Sequence, residues 1–405
     1  MTLTGVCFSH RSGNWLDRQH VLAFCGILLA IELGAFTFLV AGTHGWIVPL
    51  TEPASTDFVS FYAAGSLTDA GQPELAYDQP AHRAAEERAT EPGIQYRFFY
   101  YPPVFLLLCG ALAHLPYLPA FIVFEVASLA LYLIVARRIV EESDWGALVV
   151  LMAPPAVFWT LGLGQNAFLT AALFGAGTLL IDRRPIIAGL LLGALCYKPH
   201  FGLLVPVALI AGRHWRALAA AGVSAAGLCG LSLMLFGWPA WHDFLAEAVG
   251  SHATYESGKV SFGGFVTPFG AVLSLGGSPS AAYVVQAVFS LFAGLLVVVV
   301  WRGGRPLPIR AAVLAAATLV AIPVALLYDL MLAAIAALWL ARDKGRLSAA
   351  EKIVIAVLML LSLDPRSLAE TWRIPAAPLV AITVLALAAI RAFRPEPPSN
   401  VSVIA

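Results

Sequence analysis

Thirteen apolar stretches without period-two alternation limit the fold of this chain more than any motif does. The first runs from Val21 to Ala41 with Glu32 as its only charge, and twelve more lie near 101–116, 119–136, 146–162, 166–181, 186–197, 200–212, 217–236, 281–301, 310–327, 330–341, 353–363 and 377–392. A backbone crossing lipid must satisfy its own hydrogen bonds, so it forms helices or a closed barrel. Unalternated runs of this length predict helices. The first matches the roughly 20 residues that a hydrocarbon core of about 30 Å requires, too long for the apolar part of a signal peptide, and is expected to be retained. Several others are shorter and predict half-helices or tilted neighbours. The expected fold is an all-α polytopic integral membrane protein with about 10–12 transmembrane helices. Composition agrees: 60% of the 405 residues are hydrophobic and 12% charged, against roughly 25% charged in soluble domains. Formal charge balances at zero. No basic surface for nucleic acid and no acidic tail is present. Cys7, Cys25, Cys109, Cys196 and Cys229 are scattered without metal-ligand spacing and read as small core residues.

Lysine and arginine near segment ends set the expected orientation. Arg11/Arg18, Arg183/Arg184, Arg213/Arg216, Arg302/Arg305, Arg342/Lys344/Arg346 and Arg391/Arg394 form one consistent cytoplasmic set. Asp57, "GLGQNAF" (162–168), "YKPHF" (197–201), "LYDL" (327–330) and "LDPRS" (363–367) then lie outside. Between Asp57 and Gln165 an even number of spans must cross, yet three apolar segments intervene, so one of 101–116, 119–136 and 146–162 is not a full span. The expected organisation is a single transmembrane unit over 1–392, with outer loops 43–99 and 237–280 and a disordered cytoplasmic tail, 393–405. "PAHRAAEERAT" in the first loop suits either an interfacial amphipathic helix or a solvated one.

Polar groups converge at the outer face. Asp57, after Ser55 and Thr56, is either an acid favoured at a helix N-terminus or a working carboxylate. Lys198 and His200 flank Pro199 at the end of an apolar run, where a snorkelling anchor is the plain alternative to a functional cation. Gln165–Asn166 and Tyr328–Asp329 are polar turns between apolar segments. Each is weak singly, but chance would scatter them over both faces.

"STDFVSFYAAGSLTDAGQPELAYD", "YYPPVFLLLCGALAHLP", "GLGQNAF", "LCYKPHFGLLVP" and "LLYDLMLAAIAAL", in order over roughly residues 55–340, resemble glycosyltransferase family 87, polytopic enzymes of GT-C architecture. The resemblance implies a hexosyltransferase of the bacterial inner membrane, mannosyltransferase-like, with a cytoplasmic N-terminus and an extracytoplasmic active site. Its expected partners are a polyprenyl-phosphate-linked sugar donor, a lipid or glycan acceptor and membrane lipids. Asp57 matches the family's general base and would take the proton of an acceptor hydroxyl during in-line, inverting displacement. Lys198, His200 and Arg97 would hold the departing phosphate. Tyr101, Gln165, Asn166 and Asp329 would orient sugar hydroxyls, and Trp238, Trp241 and Tyr255 would offer stacking faces.

No D-x-D occurs in the chain, and a lipid-phosphate donor needs no nucleotide pocket, so neither a metal nor a cofactor is expected. Glu32 and Glu125, inside apolar runs, keep a second class open: a transporter or lipid flippase using intramembrane acids. The two classes differ in where the polar cavity lies, at the outer face around Asp57 and Lys198 or at mid-depth around Glu32 and Glu125. A scaffold protein would have no such cavity.

Overall fold

The computed structural model describes residues 17–41, 56–256, 258, 260–343 and 347–394, and the side chains of all of these except 38–41 and 251–255. The expected tail at 395–405 lies outside the described residues. Among the described residues the regular structure is helical, and a single antiparallel bridge joins Phe265 to Leu326. The all-α polytopic fold expected from the apolar runs is the fold observed.

The chain opens with α1 (Arg18–Ala41), and α2 (Phe58–Asp69), α3 (Gln79–Ala89) and α4 (Pro103–Ala113) follow. Next come α5 (Tyr117–Val140), the pair α6 (Trp145–Met152) and α7 (Pro155–Leu163), bent by 68° at Ala153–Pro154, and α8 (Ala167–Leu180). Then α9 (Pro185–Gly193), α10 (Leu204–Ala211) and α11 (Trp215–Glu256) follow, the last broken at Gly237, whose φ of +74° and following Trp238–Pro239 turn the chain. The remainder is α12 (Pro268–Ser274), α13 (Pro279–Arg302), α14 (Leu307–Ala321), α15 (Met331–Arg342), α16 (Ala349–Leu361), α17 (Pro365–Trp372) and α18 (Ala376–Phe393). Five helices are long and apolar enough to span, Arg18–Thr37, Tyr117–Val140, Trp215–Gly250, Pro279–Arg302 and Ala376–Phe393, and the bent α6–α7 pair is a sixth candidate. Five further apolar helices are shorter, so the span candidates among the described residues number five or six against the 10–12 expected.

The hub is α14, in which every residue from Ala311 to Ala321 is buried. Its alanines let α13, α15 and α18 approach closely, as small residues do between membrane helices. Ion pairs collect the helix ends at one end of this bundle. Arg18 binds Asp144 after α5, and Arg342 binds Glu141. Arg391 lies 2.7 Å from Glu351 and 3.1 Å from Asp343, and Arg310 lies 2.6 Å from Asp182.

That arrangement answers the parity question. Helix α5 runs from Tyr117, beside Thr56, to Arg137 and Arg138 at the basic end, and α6–α7 returns to Gln165. Of the three segments, α4 is the one that is no span candidate. Its 11 residues reach only about 16 Å at 1.5 Å per residue. It folds back along α2, where Gly65 makes room: a Cβ there would sit 2.1 Å from the Cys109 carbonyl oxygen. His114 beyond its end lies 3.3 Å from Asp69.

The loop helix α3 is not fully solvated. It buries His82, Ala85 and Glu86 against the α2 region, tying the first loop into the fold. On the far side of the site, α9 with the following turn at Ala194–Tyr197 packs on α11 and α8, the next short helix α10 packs on α13, and α14 and α15 pack on each other. These helices have 8–15 residues and reach about 12–23 Å, less than a hydrocarbon core of about 30 Å. The irregular segments that join them line the cavity described below, a setting in which membrane proteins tolerate non-helical backbone.

Candidate active site

A cavity of about 690 Å³ opens at the end of the bundle away from the basic cluster. Asp57, Arg97, Tyr101, Gln165, Lys198, His200 and Asp329 all line it. These residues come from five separated stretches, and one short turn joins them.

That turn is Leu163–Asn166. Gly164 ends α7 with φ +66°, and a Cβ there would meet the Phe58 Cβ at 2.8 Å and the Phe121 ring at 2.9 Å. The bare glycine therefore lets the turn lie against the start of α2, where the Asp57 N–H donates to the Leu163 carbonyl at 2.7 Å. Asp57 stands at the head of α2, yet its side chain makes no capping hydrogen bond. Its Oδ2 accepts from Gln165 Nε2 at 2.8 Å, and its Oδ1 lies 3.6 Å from Arg97 Nε. The Gln165 Oε1 in turn accepts from the Tyr101 hydroxyl at 3.4 Å. The carboxylate is one-fifth exposed and faces the cavity.

Asn166, the next residue, serves the other side. Its Oδ1 accepts from Lys198 Nζ at 3.3 Å, and the same ammonium lies 2.7 Å from Asp329 Oδ1. Lys198 and Asp329 are both almost wholly buried, and the ammonium also sits over the Phe201 and Tyr328 rings at 4.9 and 5.1 Å. The second Asp329 oxygen accepts the Leu326 N–H at 2.9 Å. Lys198 thus reaches the cavity with its charge already matched, and Asp329 with both oxygens engaged. His200 stands exposed on the same wall.

Behind Asp57 lies a buried pair that sequence reasoning missed. The Glu86 carboxyl accepts the Arg97 backbone N–H at 3.1 and 3.3 Å and lies 3.7 Å from His82 Nδ1. His82 Nε2 is 3.0 Å from the Ser60 carbonyl, one turn into α2. Burial pushes the Glu86 carboxyl up to about 8 and the His82 imidazole down to about 4, so both are neutral near pH 7. The 3.7 Å between Glu86 and His82 Nδ1 is too long for a hydrogen bond, and that nitrogen has no hydrogen-bond partner among the described residues, while Nε2–H is placed to donate to the Ser60 carbonyl. The charged composition of "HRAAEER" hid this, because burial of two of its polar residues is a tertiary fact.

Aromatic rings complete the cavity wall. Tyr96, Phe98 and Tyr100 form a ladder on extended chain, with centroids 4.9 and 5.4 Å apart and the last two rings nearly parallel. Their alternation in "YRFFYY" was the available signal. Trp241 is not brought to the cavity: it packs against Phe244, which lines the wall instead, because the turn at Gly237 sets the phase of the helix beyond it. Trp238 is exposed and also lies outside the lining. The Tyr255 side chain lies outside the described residues. Arg366, at the start of α17, lines the cavity and was not singled out from the sequence. Glu32 and Glu125 are buried in α1 and α5 and do not line it.

Fold and site together define a multi-pass membrane protein with a carboxylate-bearing, partly polar cavity cut into one end of its bundle. The chain belongs to glycosyltransferase family 87, whose family model matches residues 99–327. It is accordingly a membrane glycosyltransferase, an enzyme whose substrates are a sugar donor and an acceptor. The matched stretch contains Tyr101, Gln165, Asn166, Lys198 and His200, while Asp57, Arg97, Asp329 and Arg366 join them through the fold. No curated protein and no solved structure matches the chain.

Proposed function

We propose that this enzyme, in a GT-C arrangement, transfers a hexose such as mannose from a polyprenyl-phosphate-linked donor to a lipid or glycan acceptor, with inversion and with Asp57 as general base. The acceptor oxygen attacks the anomeric carbon as the bond from that carbon to the phosphate oxygen breaks. The hydroxyl proton passes to Asp57, and polyprenyl phosphate departs with the electron pair.

The observation behind this reading is the state of Asp57: a carboxylate at a helix start that is not used as a cap, held instead by Gln165 and Arg97 with its face to the cavity. A general base needs that orientation and access. Two features favour a lipid-linked donor. The helices beside Lys198 and Asp329 are short, and cationic side chains line the cavity, which suits the phosphate of a donor held by its lipid at the membrane. The aromatic ladder at Tyr96, Phe98 and Tyr100 offers stacking faces for a sugar ring. Arginines gathered at the opposite end favour a cytoplasmic N-terminus and an extracytoplasmic site in a bacterial inner membrane.

Supplying the purified protein with a panel of polyprenyl-phosphate hexoses and cell-envelope lipids, then analysing the products by mass spectrometry, tests the reading and names both substrates. Expected is a product heavier by one hexose, together with released polyprenyl phosphate. Transfer only from nucleotide sugars would refute the donor class.

A further inference from the structure

Five side chains of unambiguous charge line the cavity, three cations and two carboxylates. Lys198 is matched by Asp329 at 2.7 Å inside the protein, and Arg97 stands 3.6 Å from Asp57. The third cation, Arg366, makes no ion pair among the described residues, and it is the solvent-exposed member of the set. The cavity therefore holds one positive charge in excess, and a phosphodiester-linked donor brings one negative charge.

The placement of Arg366 is built. Asp364 accepts the Ser367 N–H at 3.2 Å at the start of α17, and Pro365 and Ala369 are buried. The helix packs closely on the turn at Phe262–Gly264: a Cβ on Gly263 would lie 3.1 Å from the Arg366 Cα. A Cβ on Gly264 would lie 3.4 Å from Arg366 Nε and 3.6 Å from Nη2, so the guanidinium rests along bare backbone. The Ser261 hydroxyl donates to Glu370, fastening the same turn to the same helix. Gly258, Val260, Ser261, residues 323–326 and Arg366 form this part of the lining, on elements other than those that bear Asp57 and Gln165. In-line displacement calls for a leaving group held apart from the base.

We infer that Arg366, on this wall, is the contact for the phosphate of the lipid-linked donor, and that Lys198 is a positioning residue locked to Asp329. The inference rests on the lipid-phosphate reading of the preceding subsection. A planar guanidinium with several donors suits two phosphate oxygens at once. Lys198 has its charge matched by Asp329 and two of its three N–H donors taken by Asp329 and Asn166, so one donor at most is left for a phosphate.

Calorimetric titration of the purified full chain with farnesyl phosphate, farnesol and inorganic phosphate separates the possibilities. The parent should bind farnesyl phosphate, and bind the alcohol and the free anion far more weakly. Arg366→Gln, an exposed change expected to leave melting unaltered, should weaken farnesyl phosphate binding by about tenfold or more. Arg366→Lys should fall between, and Arg183→Gln at the basic end should change nothing. Binding by Arg366→Gln within about twofold of the parent would overturn the assignment while leaving the lipid-phosphate reading intact. A parent that does not bind farnesyl phosphate in preference to the other two would overturn both.

Discussion

Replacing Asp57 by Asn separates its two possible roles, because the structure lets the stability cost and the catalytic cost be worked out independently. No capping bond is lost, since the native side chain makes none. The Arg97 contact at 3.6 Å is partly exposed, a setting in which ion pairs contribute up to about 1 kcal/mol. The Gln165 bond at 2.8 Å can persist to the amide oxygen as a neutral bond weaker by about 1 kcal/mol. Asp57→Asn should therefore destabilise by about 1–2 kcal/mol, which a folded membrane protein tolerates. Loss of a general base costs at least about a hundredfold in rate, or about 2.7 kcal/mol of barrier. The assay is initial-rate transfer from a lipid-phosphate hexose, with thermal melting of the same preparation. Expected are near-parental melting and expression with turnover down at least about a hundredfold. Two carboxylates of the same loop serve as controls: Asp69 pairs with exposed His114, and Asp78 caps α3 through the Ala81 N–H at 2.9 Å. Asn replaces either conservatively, and both variants should stay within about tenfold of the parent. Near-normal transfer by Asp57→Asn would refute the general-base assignment.

Three further outcomes follow from the same geometry. Lys198→Met leaves Asp329 buried without its cation and should destabilise by about 3–5 kcal/mol; the double change with Asp329→Leu should recover most of the loss in thermal melts, and a single variant melting like the parent would refute the pairing. Glu86 is faced by His82, Arg97, Asp57, Arg83 and Tyr96. The folded state holds its proton up to about 8 while an unfolded carboxyl releases it near 4.5, so its contribution to stability is complete below pH 4.5 and declines as pH rises toward 8. Buried neutral His82 acts oppositely, its contribution complete above pH 6.5 and lost as pH falls toward 4. Melting should thus decline from pH 6.5 to 8, Glu86→Gln should remove that decline while keeping activity, and an unchanged profile would sink the assignment. Finally, with the native cysteines removed, a cysteine at Ala70 should react with a membrane-impermeant thiol reagent in intact cells and one at Arg183 should not; the reverse pattern would put the cavity on the cytoplasmic side.

Much of this protein is decided locally, and that part is legible residue by residue. An apolar run of spanning length has no stable state in lipid but a helix, whatever its neighbours do. Asp57, Gln165, Lys198 and Asp329 stand out because a polar side chain at the end of such a run demands a reason, and the four do meet in one cavity. What local sequence leaves open is anything that depends on partners distant in the chain. The apolar residues of α4 look like those of a span, and only its return along α2, allowed by Gly65, keeps it on one side. Lys198 and Asp329 are 131 positions apart, so their mutual neutralisation appears only when α10 and α15 hang from the same basic end. Glu86 reads as a surface charge until α3 closes over it, and Trp241 yields its place to Phe244 because one glycine rotates the helix beyond it. Arg366 sits in an unremarkable short helix start; the fold makes it the cation of the cavity without an ion pair among the described residues, because Lys198 and Arg97 stand beside Asp329 and Asp57.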